Sequence, residues 1–86
     1  MKKKKIKTQL RTYLDIQLRL CKVYMQEQDL TMAKNCWQQA IGATTFTSVS
    51  MFNIYHDADF STEIDVMWET DFKEAFEKML FPEVEV

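Results

Sequence analysis

The chain has 86 residues, 47% of them hydrophobic and 13% aromatic, and a formal net charge of −2. It is too apolar and too rich in rings to stay disordered, and it is long enough for one domain, residues 1–86. One glycine and one proline are too few for a β-rich fold, whose hairpins and bulges draw on such residues.

Taken in chain order, the first element is a helix over about residues 3–28. Ile6, Leu10, Tyr13, Leu14, Leu20, Cys21, Tyr24 and Met25 recur at spacings of three and four, and Ile16 and Leu18 widen the stripe. The polar segment 26–31 follows, with Asp29 and Thr31 as possible N-caps. A second helix over about 31–55 is expected from Met32, Ala33, Cys36, Trp37, Ala40 and Ile41. Its second half, TTFTSVSMFNIY, is also rich in β-branched and aromatic residues that suit a strand. Residues 63–69 alternate in polarity and are the one candidate partner strand, so an α+β fold with strands at 44–55 and 63–69 is the alternative. Helix is preferred because Trp37, Ile41, Thr44, Ser48, Phe52 and Tyr55 also share one helical stripe.

A third helix over about 62–81 follows from Ile64, Trp68, Phe72, Ala75, Phe76, Met79 and Leu80, with Ser61 or Thr62 as its cap and Pro82 as its stop. The expected architecture is all-α: a small three-helix bundle made of a helical hairpin and a C-terminal helix. A hairpin turning near Gln28 and Asp29 sets Cys21 opposite Cys36 and Leu20 opposite Trp37. Trp37, Phe46, Phe52, Phe60, Trp68, Phe72 and Phe76 are expected to fill the centre, and residues 83–86 to form a frayed tail.

Charge is segregated along this chain. Residues 1–22 carry eight Lys or Arg against one Asp, a net +7, and residues 57–86 carry ten acids against two Lys, a net −8. Such a chain favours docking of its basic end on its acidic end, within one molecule or between two. The basic start is similar to that of a signal peptide, but Gln9, Arg11, Asp15, Gln17 and Arg19 interrupt an apolar core. No apolar run approaches the roughly 18 residues of a membrane span. Cys21 and Cys36 alone make no disulfide framework, so the expected location is the reducing cytoplasm.

Catalysis has little to work with. His56 is the one histidine, beside Asp57 and Asp59, and Cys21 and Cys36 lack CxxC spacing. No enzyme, metal or cofactor is expected. The stretch from Asp57 to Asp65 resembles the opening of a calcium-binding EF-hand loop, with oxygen donors at Asp57, Asp59, Ser61 and Asp65. It departs from that loop at Thr62, where glycine is needed, and at Trp68, where a closing Glu is needed. Residues 38–50 resemble the turn and recognition helix of a helix-turn-helix module, with Gly42 at the turn. That segment carries no Lys or Arg to meet phosphate.

Two kinds of surface remain. Lys2, Lys3, Lys4, Lys5 and Lys7 could contact nucleic acid. Six methionines and eleven aromatics are generous for so small a core, which points to an apolar partner-binding face at Trp68, Phe72, Phe76 and Phe81. The expected function is a non-enzymatic protein-interaction or regulatory protein that self-associates as a homodimer, with a small nucleic-acid-binding regulator as the alternative.

Overall fold

The computed structural model describes residues 3–82, and its elements are helices throughout. Helix α1 spans Lys3–Gln26 and helix α2 spans Leu30–Asn53. Gln28 takes a left-handed φ of 61°, which lets its N–H donate to the Met25 carbonyl at 3.1 Å and that of Asp29 to the Tyr24 carbonyl at 2.8 Å. These two bonds satisfy carbonyls that the end of a helix otherwise leaves open. The Asp29 carboxylate then accepts the Met32 N–H at 3.1 Å, so the residue that closes α1 also caps α2. Of the two expected caps, Asp29 is the one used.

Helix α2 continues without a break through Gly42. Thr44 and Thr47 turn their hydroxyls onto the carbonyls of Ala40 and Ala43, at 2.9 and 2.8 Å, which accommodates β-branched residues inside a helix. Residues 44–53 are therefore helical, residues 63–69 lie in the third helix, and no strand occurs among the described residues. The α+β alternative falls with them.

At the next corner His56 adopts a φ of 55°, and the Asp57 N–H donates to the Met51 carbonyl at 2.9 Å. Asp57 also accepts the Phe60 N–H at 3.0 Å. The third helix thus starts at Ala58 rather than 62, capped by Asp57 rather than by Ser61 or Thr62. Ser61 instead shares a hydrogen bond of 2.8 Å with Ser48, fastening the third helix to α2.

That third helix has three parts: α3, Ala58–Met67; a wide π turn, Trp68–Phe72; and α4, Lys73–Leu80. Its large apolar residues explain the wide turn. Ile64, Trp68, Phe72, Phe76 and Leu80 are spaced by four throughout, whereas an α-helix repeats every 3.6 residues and advances each such step by about 40°. On an unbroken α-helix Leu80 would lie roughly 160° around from Ile64. One π turn absorbs the surplus, and all five side chains are buried.

The centre combines these rings with a stripe of small residues on α2, namely Ala33, Cys36, Ala40, Thr44 and Ser48, which lets the helices approach closely. Phe46 and Phe52 are not in it. Phe46 follows Thr44 by two residues, about 200° of helix rotation, so it points away from the core, and Phe52 is likewise exposed. The molecule is a slab of 41 × 26 × 17 Å with a radius of gyration of 13.9 Å, against about 12 Å for a compact chain of this length. Its accessible surface of 6037 Å² exceeds the roughly 5,400 Å² of a typical monomer of this mass.

Candidate interaction surface

The aromatic face expected at the C-terminal helix is turned inward. Phe76 is 0% exposed, Trp68 stacks on it with ring centroids 5.7 Å apart, and Phe72 lies beneath the Arg11 guanidinium at 5.7 Å. The π turn swings these rings into the core, so Trp68, Phe72 and Phe76 are withdrawn from any partner. Phe81 is half-buried, edge-on to Trp37 at 5.3 Å and below the Lys34 ammonium at 5.7 Å. The ring that remains near water there is thus engaged within the protomer.

The segregated charge is also engaged internally. Lys3 pairs with Asp57, Lys7 with Glu63 at 3.3 Å, and Arg11 with Asp71, a ladder that ties α1 to the third helix. The pairing with Lys3 holds the Asp57 carboxyl below its ordinary value, helped by the Phe60 N–H, and raises the Lys3 ammonium. Of the lysines proposed for nucleic acid, Lys4 and Lys5 remain exposed on α1, and Lys2 lies outside the described residues.

The remaining motifs lose their chemistry in the fold. An unbroken α2, with no left-handed glycine, has no turn at Gly42 and hence no helix-turn-helix. Asp57 is committed to its cap and to Lys3, and Asp59, Ser61 and Asp65 lie along a helix rather than around a loop. No cluster of metal-ligating side chains occurs among the described residues. Cys21 and Cys36 are free and buried, and desolvation pushes both thiols up, away from the reactive thiolate.

A different surface emerges on the outer side of the α1–α2 hairpin. Tyr13 and Gln17 both reach across the seam to the Gln39 amide, at 3.4 and 3.2 Å, which puts Tyr13 and Gln39 on the same side. Seven residues from Tyr13 is Leu20, and seven either way from Gln39 are Met32 and Phe46; such spacing keeps one side of a helix. Ile16 and Val23 continue the α1 stripe. All six apolar side chains are exposed, Phe46 at 74%. The third helix meets the hairpin from the opposite side, through Lys7, Arg11 and Ser48.

The α2 half of this surface carries no charge. From Asn35 to Tyr55 the chain has 21 residues without Asp, Glu, Lys or Arg, a signal legible in the sequence but overshadowed by the strongly charged ends. No protein-family model, curated protein or solved structure matches the chain.

Proposed function

We propose that this chain is a non-enzymatic protein-interaction module whose working surface is the outer side of the α1–α2 hairpin, and that it acts as a self-associating protein. One observation carries the reading: Tyr13, Ile16, Leu20, Val23, Met32 and Phe46 are exposed together, and α2 carries no charged side chain from Asn35 to its end. A contiguous apolar surface on a small monomer is costly in water and is kept where a partner covers it. Chemistry finds no comparable foothold, since both thiols are buried with raised pKa values and His56 stands exposed at a helix corner.

Sedimentation equilibrium of the wild type and of Phe46→Glu tests this. The wild type self-associates with rising concentration, and the variant, which keeps its helical circular dichroism because Phe46 touches water rather than core, loses that association by more than about 100-fold. Equal association of the two proteins refutes the surface.

A further inference from the structure

Gly42 gives the hairpin surface a more specific form. In the middle of a helix, glycine costs about 1 kcal/mol relative to alanine, so its presence there calls for a reason. Two ordinary reasons are absent: Gly42 has no left-handed φ, and a Cβ added to it would meet nothing within 4 Å. The chain itself therefore has no use for the missing side chain. Gly42 lies on the exposed side of α2, one turn before Phe46, the most exposed of the large apolar side chains. A shallow hole and a prominent knob thus sit side by side on one uncharged surface.

A knob and a hole on the same surface are what a closed twofold pair needs, because each copy then supplies both to the other. Resting on the reading above, we propose that a second copy of this chain covers the hairpin, with α2 crossing its counterpart antiparallel so that Phe46 of each protomer seats over Gly42 of the other. In that register the residues of α2 that meet across the pair have numbers summing to 88. The twofold axis then passes near residue 44 and, on the neighbouring helix, near Tyr13. That is close to the middle of the hairpin, so the two hairpins overlap along most of their length.

Charge and area agree with this occupant. A twofold axis brings each residue close to its own copy, which a charged surface would resist, and α2, through which this axis passes, has no charge from Asn35 to its end. Helices of 24 residues are about 36 Å long and about 10 Å wide, so two of them present roughly 700 Å². A standard interface takes about 800 Å² from each partner. The opposite edge of the protomer, by contrast, already spends its charges internally on Lys3–Asp57, Lys7–Glu63 and Arg11–Asp71.

Gly42→Ala separates the two levels of the proposal, because it acts with opposite sign on the protomer and on the pair. At a concentration where the protomers are apart, the added methyl finds open space and raises the thermal midpoint. In sedimentation equilibrium the same methyl fills the hole and weakens the dimer at least about 10-fold. Phe46→Glu abolishes the dimer in the same assay. A Gly42→Ala protein that dimerises as well as or better than the wild type overturns the Phe46–Gly42 register while leaving self-association standing. A wild type that stays monomeric overturns self-association itself. Flotation of that monomer with phosphatidylcholine vesicles, lost in Phe46→Glu, would assign the surface to lipid instead.

Discussion

Asp57 shows how much one side chain can organise in a small domain. Its carboxylate caps α3 by accepting the Phe60 N–H and pairs with Lys3 at the start of α1, so it fixes a corner and joins the start of α1 to the start of the third helix. Its folded pKa is depressed, which means that the unfolded chain takes up the proton first as pH falls. The stabilisation is therefore fully present above the ordinary carboxylate value of about 3.9 and is lost as pH drops through the lower folded value. Asn is also a good cap, so Asp57→Asn removes the charge and keeps the corner. Urea unfolding should find the variant less stable than the wild type by a constant margin from pH 7 down to about 5, with the margin closing below about pH 4. A gap that persists undiminished to pH 2 would show that the charge of Asp57 is not its source. At the alkaline end the same pair fails only as pH rises through the raised value of Lys3.

At the scale of elements, the π turn is the feature with the clearest mechanical consequence. It acts as a one-residue surplus that keeps Phe72, Phe76 and Leu80 on the core side of the third helix. Deleting the exposed Thr70 removes that surplus: the helix becomes regular, and the downstream rings stay within about 60° of Ile64. Inserting one alanine beside Thr70 instead turns them about a further 100°, out of the core. The deletion should cost less than about 1 kcal/mol and the insertion more than about 3 kcal/mol in urea unfolding. Equal damage from both would mean that the turn does not serve the register. Much of this level was legible in the sequence, because three amphipathic segments and one stop signal suffice to write a three-helix bundle. The wide turn was legible too, in the unbroken series of fours from Ile64 to Leu80, but a stripe tolerant of threes and fours conceals a period longer than 3.6. The caps were harder. Ser61 and Asp57 are both good N-cap residues, and their other partners, Ser48 for Ser61 and Lys3 for Asp57, are distant in sequence and appear only in the fold. That Trp68, Phe72 and Phe76 lie in the core rather than on a surface was hidden for a related reason, since large rings on one stripe describe a core and an interface equally well until the neighbouring helices are placed.

The whole molecule separates its two kinds of surface by side. Charge joins α1 to the third helix, and an apolar surface, uncharged along α2 from Asn35 onward, is left on the hairpin's far side, so the two respond differently to salt. The three inter-element ion pairs lie at the surface, with Asp57 the least exposed of their groups, and exposed pairs contribute roughly 0.2 to 1 kcal/mol each at low ionic strength and less when screened. Raising sodium chloride from 20 mM to 500 mM should therefore lower the thermal midpoint of dilute protomer by a few degrees at most. The α2–α2 contact at the centre of the proposed dimer carries no charge from Asn35 onward, so its dissociation constant should stay within about threefold over that range. Sulfate, which is excluded from protein surface, should tighten it. An association driven by the +7 and −8 ends of two different chains would behave otherwise, weakening by an order of magnitude or more over the same interval. Binding of nucleic acid through Lys4 and Lys5 would also fall steeply with salt. Sedimentation across the salt series thus decides which surface does the joining: a flat dissociation constant points to Phe46 and its neighbours, and a steep one returns the role to the charged ends.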